Sequence, residues 1–178
     1  VNAILSQTGG VDVLINNAGF GLYGPVEEIG IDEARYQFEV NLFGAARLTQ
    51  LLLPAMRARR SGHIVNISSM GGKMYSILGA WYHATKHALE GWSDCLRLEV
   101  AGFGIKVTIV EPGVIETGFG DAASESIVKR SHSGPYGQLV KMVAASIKKT
   151  YGHGTGSDPK VIADVVSSAI NSKNPRTR

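Results

Sequence analysis

Short β-branched runs alternate with long stripes of helical period along this chain. Residues 11–15, Val-Asp-Val-Leu-Ile, form an apolar run of strand length, closed by Asn16-Asn17-Ala18-Gly19 and a Gly-rich loop. From 32 to 60, Ala34, Phe38, Leu42, Ala45, Ala46, Leu48, Leu52 and Met56 recur at helical spacing. This predicts one long helix with Asp32 as N-cap, bent at Asn41 or Gly44 and again at Pro54. His63-Ile64-Val65-Asn66-Ile67 reads as a second strand ending in the polar Ser68-Ser69. A second long helix is expected over 79–103, with Trp81, Ala84, Ala88, Trp92 and Cys95 as its apolar stripe, and Gly104 ends it. Residues 105–110 are a third strand, halted by Pro112-Gly113. Beyond it, 114–156 loses strand pattern and holds one helix near 138–149, which reads as a lid or substrate loop. Asp158 and Pro159 supply the cap and first position of a last helix.

Strand, helix, strand, helix, strand with right-handed crossovers gives a doubly wound α/β fold around a parallel sheet, in one domain over 1–178. Ligands of such sheets bind beyond the carboxyl ends of the strands. Asn16 to Gly19, Ser68 to Gly72 and Pro112 to Thr117 all fall there, so three strand ends converge on one crevice. Composition removes other classes. Among 178 residues, 18 basic and 15 acidic side chains are interspersed, leaving a net charge of +3. Arg57, Arg59 and Arg60 sit where cations offset a helix C-terminus, so nucleic acid is not expected as a partner. The single cysteine, Cys95, is assigned to the core, excludes an internal disulfide framework and fits a reducing, cytoplasmic setting. No apolar run has the length of a membrane span. The chain does not begin with Met, and residues 1–7 read as the tail of an amphipathic helix, so the natural N-terminus is expected upstream.

Tyr82-His83-Ala84-Thr85-Lys86 places a phenol and an ammonium one helical turn apart on one face. The spacing is weak alone. Its context, a helix start following a strand that ends in Ser68-Ser69, brings a hydroxyl and a phenol to one substrate oxygen. A nearby Lys⁺ lowers the phenol's ordinary pKa of about 10 and makes Tyr82 a general acid in reduction and a base in oxidation. Ser69 stabilises charge on the substrate oxygen, and Lys86 also holds the nicotinamide ribose of a cofactor that supplies the hydride. Asn41, an amide within an amphipathic helix, is either exposed or bonded to a neighbouring turn.

Asn16-Asn17-Ala18-Gly19, Asn41, Ser69, Tyr82-x-x-x-Lys86 and Pro112-Gly113-x-x-x-Thr117 resemble, in order, the signature of the short-chain dehydrogenase/reductase family. The likeness covers 11 to about 117, and its general run is similar to the branch of hydroxysteroid and retinol dehydrogenases. It implies a Rossmann-like fold and an NAD(P)-dependent interconversion of a hydrophobic alcohol and a carbonyl. It also implies an Asn41-Ser69-Tyr82-Lys86 tetrad, with Asn41 holding a water that links Lys86 to solvent. Asn17, Ala18 and Gly19 then lie by the adenosine ribose; Pro112, Gly113 and Ile115 frame the nicotinamide; Thr117 lies near the carboxamide or pyrophosphate. Ser68 is the fallback for Ser69. Family members associate through two long helices, which implies a homodimer or homotetramer through 32–60 and 79–103.

The sequence departs from that pattern at its start. The family's Thr-Gly-x-x-x-Gly-x-Gly turn has no counterpart before Val11, and neither do the residues that select NAD or NADP; NADP is favoured on resemblance only. The fold is therefore expected to be incomplete at the N-terminus, and also at the C-terminus, where Asn174-Pro175-Arg176 resembles the approach to a further strand. A rival reading follows, in which the chain is a non-catalytic module that keeps the fold and self-association only. Gly19-Phe20-Gly21-Leu22-Tyr23-Gly24 matches G-x-G-x-x-G, but Pro25 follows at once and no helix opens there, so it is not read as the pyrophosphate loop. His83 and His87 have chelating spacing but no third ligand; a solvent-facing or interface role is expected, and no metal. His63, His132 and His153 have no evident partners. Trp81 and Trp92 are read as core or interface.

Overall fold

The structure is a computed structural model that describes residues 1–131, 134–151 and 154–178. His132 and His153 lie outside the described residues. Seven α-helices and three strands follow in the order α1 (Asn2–Thr8), β1 (Val13–Asn16), α2 (Ile31–Phe38), α3 (Gly44–Arg59), β2 (Gly62–Ile67), α4 (Ala80–Val100), β3 (Ile105–Val110), α5 (Phe119–Ser131), α6 (Gly137–Thr150) and α7 (Pro159–Asn171) among the described residues. The strands form one parallel sheet in the order β1-β2-β3, with Asn16 opposite Asn66 and Ile67 opposite Val110. Side chains alternate across it. Leu52 and Met56 of α3 and Leu96 and Val100 of α4 close over Ile64, Ile105 and Val107. On the opposite face, Ile15 and Ile67 look toward Ile162, Val166 and Ile170 of α7. Helices thus cover both faces, as a doubly wound sheet requires. None of the helices is long and apolar enough to cross a membrane.

The long helix starts one residue before the expected cap. Gly30 is the cap, its N–H donating to the Glu33 carboxylate at 3.3 Å, while Asp32 pairs instead with Arg35 at 2.8 Å. The bend expected at Asn41 or Gly44 is a π-turn over Glu39–Phe43 that inserts one residue between α2 and α3. Pro54 lies inside α3. The last helix is capped as expected, with the Asp158 carboxylate accepting from Lys160 N–H at 2.7 Å.

The second long helix buries a different face from the one its apolar residues mark, whereas α2 and α3 bury Ala34, Ala45, Leu52 and Met56 of the expected stripe together with polar residues outside it. On α2 and α3 the inward positions are Ala34, Gln37, Asn41, Ala45, Thr49, Leu52 and Met56, while Leu48 is 40% exposed. On α4 they are Tyr82, His83, Thr85, Lys86, Leu89, Glu90, Ser93, Leu96 and Val100. Ala84 and Cys95 are exposed, which corrects the assignment of Cys95 to the core. Trp81 and Trp92 pack at the edges of two apolar clusters. The physical reason is that many of the inward polar groups are matched, although Asn16 Oδ1, Gln37 Oε1 and Glu90 Oε1 find no partner among the described residues. Asn16 Nδ2 donates to Asn66 Oδ1 at 2.8 Å, Asn66 Nδ2 to Ser93 Oγ at 2.8 Å, and Ser93 Oγ to the Leu89 carbonyl at 2.6 Å. A buried polar row satisfied in this way is not penalised. His63 also has a partner, since its ring lies 2.9 Å from Thr108 Oγ1.

The 114–156 stretch holds two helices, α5 and α6, where one was expected. They pack Ala123, Ile127 and Val140 against Tyr23, Leu78 and Tyr82. At the chain's end, residues 172–177 run along β3, where Ile109 N–H donates to the Thr177 carbonyl and Lys106 Nζ to the Ser172 carbonyl.

Candidate active site

Because the three strands are parallel, the segments after Asn16, Ile67 and Val110 emerge at the same edge of the sheet. Tyr82 is in the first turn of α4 and its ring is buried between those of Tyr23 and Phe119, each 5.5 Å away between centroids. Its hydroxyl shares the wall of both cavities with Ser69. Burial pushes the Tyr82 phenol above its ordinary range, the Ser69 hydroxyl pulls it back in part, and Tyr151 adds to the rise. Lys86, one turn on, donates from Nζ to the Ile67 carbonyl at 2.9 Å. Burial lowers its ammonium to about 8, against the opposing charge of Glu90. Lys86 is not among the influences on the phenol in this geometry, where burial dominates. Burial also pushes the Glu90 carboxyl up, but bonds from Ser68, Lys73 and Arg178 outweigh that and hold it below its usual value. Of the two serines, Ser69 lines both cavities with Tyr82, while Ser68 lies beside Glu90.

Asn41 resolves to the bonded alternative. It is 2% exposed, and its amide clamps both backbone groups of one residue: Oδ1 accepts from Phe20 N–H at 3.0 Å and Nδ2 donates to the Phe20 carbonyl at 2.9 Å. Nδ2 also donates to Thr85 Oγ1 at 3.0 Å, and that hydroxyl donates to the Tyr82 carbonyl at 2.8 Å. The π-turn is what lets a residue midway along α2–α3 reach the loop after β1. Gln37 Nε2 adds a further bond to Phe20 O at 3.1 Å. Thr85 and Gln37 thus support the site and were not singled out from sequence. Their signal was there, as polar residues one turn from Asn41 and from Tyr82 on otherwise apolar helices.

A cavity of about 650 Å³ opens beside these groups. Asn17, Gly19, Ser69, Tyr82, Lys86, Pro112, Gly113, Ile115 and Thr117 all line it. Ala18 does not, and Asn41 stands behind Gly19. A Cβ on Gly19 would lie 3.2 Å from Asn41 Oδ1 and 3.7 Å from Lys86 Nζ, so a larger residue here would crowd both. A second cavity of about 340 Å³ shares Ser69, Tyr82, Phe119 and Tyr151 with the first. Gly21 of the G-x-G-x-x-G run is bare because Tyr23 and Phe119 would each lie 2.8 Å from its Cβ. That run is a loop followed by a helix only at Ile31, so it forms no pyrophosphate turn. His83 is buried with both ring nitrogens engaged, which corrects its solvent-facing assignment, and His87 Nδ1 is taken up by the His83 carbonyl at 2.9 Å.

A parallel α/β sheet that delivers Ser, Tyr, Lys and a bare Gly to one cavity matches known proteins closely. The chain belongs to the short chain dehydrogenase family, whose model matches residues 1–127. Retinol dehydrogenase 8 of Bos taurus is 34% identical over 175 residues, which is 97% of this chain and 56% of that protein. The structure of an actinorhodin polyketide ketoreductase with NADPH superposes with a TM-score of 0.76 at 34% identity, covering 96% of this chain and 64% of that one. NAD⁺-bound xylitol dehydrogenase gives 0.79 at 25% identity, covering 96% of this chain and 66% of its own. The chain spans between half and two thirds of the length of these three proteins.

Proposed function

We propose that the protein is an NAD(P)-dependent oxidoreductase that interconverts an alcohol and a carbonyl, with Tyr82, Ser69, Lys86 and Asn41 as its working residues. The observation that carries this reading is the convergence of Ser69 and Tyr82 on the seam between two cavities, both of which they line, with Lys86 one turn away. The larger cavity suits the nicotinamide half of a dinucleotide. Its volume is in the usual range for a cofactor site, and Gly19 leaves the wall open where a Cβ would intrude. Pro112, Gly113, Ile115 and Thr117 would hold that half, with Asn17, Ala18 and Gly19 toward the adenosine ribose. When bound, the dinucleotide supplies the hydride.

The chain's own groups handle the proton. Burial keeps the Tyr82 phenol protonated at neutral pH, so it is a proton donor to a carbonyl oxygen in reduction. The Ser69 hydroxyl offers that oxygen a second hydrogen bond. Lys86 is charged below about pH 8 and sits where a ribose hydroxyl would arrive. Asn41 fixes the Gly19–Phe20 turn through both ends of its amide. Retinol dehydrogenase 8 and the two solved relatives suggest the reaction class, and cofactors of both kinds occur among them, so NAD and NADP are both carried forward. Self-association belongs to the same proposal, through outer faces of α2–α4 that leave Tyr36, Phe43, Leu48 and Leu98 exposed. The two helices of 114–156 serve as the substrate cover.

The substrate is hydrophobic. Among the described residues no Asp, Glu, Lys or Arg lines the second cavity, which is walled by Tyr23, Met70, Met74, Val143, Ile147 and Tyr151 among others. It is roughly twice the size of a 150 Å³ cavity that admits benzene. An unbranched ketone series assayed with the protein carrying its full native sequence is expected to gain about fourfold in kcat/KM per added CH₂, at about 0.8 kcal/mol each, until the cavity is full. A terminal carboxylate on the longest member should cost about 100-fold or more. A flat series, or preference for the carboxylate, contradicts the reading.

A further inference from the structure

The residue after the candidate acid has a task of its own. His83 is 8% exposed, and its imidazole is wedged between two glycines: a Cβ on Gly71 would lie 3.1 Å from Nδ1, and one on Gly79 would lie 2.7 Å from Cδ2. Its partners fix its tautomer. The backbone N–H of Ser76 points at Nε2 from 3.0 Å, and an N–H can only donate, so Nε2 carries no proton. Nδ1 lies 2.8 Å from the Gly71 carbonyl, which can only accept, so Nδ1 carries the proton. Ser76 Oγ, 2.8 Å from Nε2, completes the clasp. The imidazole therefore ties both ends of the 71–76 loop to the first turn of α4.

The loop leads to the active-site hydroxyl. Gly71 N–H donates to Ser69 Oγ at 3.0 Å, occupying one lone pair of that oxygen and turning its own O–H toward Tyr82 and the cavities. Gly71 also touches the phenol directly, since its Cβ position lies 3.1 Å from Tyr82 Cε1. On its far side the same turn is fixed by Met70 N–H, which donates to the Pro112 carbonyl at 2.9 Å. One glycine thus receives the imidazole at its carbonyl and orients the serine with its amide.

We propose that neutral, Nδ1-protonated His83 is a positioning residue for the Ser69–Tyr82 pair, acting through Gly71. Its ring also lines the smaller cavity, but the role proposed runs through Gly71 and not through contact with the reacting atoms. This inference rests on the oxidoreductase reading above. Its functional bond is the one to Gly71, while the bond to Ser76 anchors the loop's outer end.

Two variants separate those bonds. His83→Asn places an amide nitrogen where Nδ1 stands and can still donate to Gly71, but it does not reach Ser76. His83→Gln reaches Ser76 with an acceptor oxygen and leaves the Gly71 carbonyl without its donor. In the protein carrying its full native sequence, His83→Asn is expected to keep kcat within about threefold of the parent. His83→Gln is expected to lose more than about tenfold in kcat, with KM for a ketone and NAD(P)H binding little changed, because a small displacement at the reacting oxygen acts on turnover rather than binding. A residue that merely fills space would give equal losses in both variants. Nitrogen-15 spectra of the parent give a reading that needs neither a variant nor turnover: the His83 ring should show Nδ1–H and bare Nε2. An Nε2–H tautomer, equal kcat in both variants, or loss confined to His83→Asn overturns the proposal. If the parent itself does not turn over, the oxidoreductase reading falls, and the role of His83 with it. If the parent is active and the variants match each other, His83 alone loses its role.

Discussion

Tyr82→Phe is expected to lower kcat by about 10²–10⁴-fold while leaving the fold and the affinity for NAD(P)H nearly unchanged. The ring stays, and with it the contacts to Tyr23 and Phe119, each 5.5 Å away. What goes is the hydroxyl beside Ser69 and the proton it can give. Since burial raises this phenol, reduction should hold its rate through neutral pH, where the donor is protonated. Oxidation should climb with pH, because the phenol must first lose its proton. Stopped-flow turnover in both directions against pH, beside fluorescence titration with NADH and NADPH, checks both statements. A variant that keeps more than a tenth of the parent kcat removes Tyr82 from the chemistry.

Lys86→Met should separate function from stability. Turnover is expected to fall at least about 100-fold, because the ammonium beside the cavity is gone, yet the folded state should gain about 2 kcal/mol at neutral pH. The sign follows from the lysine's lowered pKa. Between about 8 and its ordinary 10.5 the buried amine is neutral while the unfolded chain's lysine is charged, so the unfolded state binds more protons and stability rises with pH there. Below about 8 the penalty is fully present and constant. The advantage of Lys86→Met is therefore largest below pH 8 and disappears toward 10.5. Part of it is offset by the bond lost to the Ile67 carbonyl, and Glu90 keeps Lys73 at 3.0 Å and Arg178 at 2.9 Å. Urea unfolding across pH 6–10 measures the difference, and a variant less stable than its parent at pH 7 contradicts it.

The order of elements was legible because the strands are β-branched runs and the helices are long. Residues 105–110 and 62–67 could hardly be read otherwise. The face of α4 was not, because periodicity counts apolar residues and its inward row is polar at the site; on α2–α3, Ala34, Ala45, Leu52 and Met56 were legible as inward and the polar positions between them were not. Gln37, Asn41, Thr49, Thr85 and Ser93 are buried through hydrogen bonds to loops and neighbouring elements distant in sequence, and no local pattern reveals such partners. The same cause hid His83, whose matching groups are backbone atoms of Gly71 and Ser76. Helix α5 escaped because its inward residues Ala123, Ser124 and Ile127 are mostly small or polar and give little contrast against its outer face. The meeting of Gly19, Ser69, Tyr82 and Lys86 was legible, because strand ends of a parallel sheet converge whatever the loops do. The tuning of the two ionisable groups was not, since burial decides it and burial is a property of the packed chain.

The central claim is hydride transfer to a carbonyl at the Ser69–Tyr82 pair, and isotope transfer tests it most directly. A hydrophobic ketone incubated with the protein carrying its full native sequence and with NADH or NADPH deuterated at the nicotinamide C4 should yield an alcohol carrying deuterium on its carbinol carbon, with one of the two cofactors strongly preferred. An unlabelled alcohol, or no alcohol with either cofactor across the ketone series, contradicts the account.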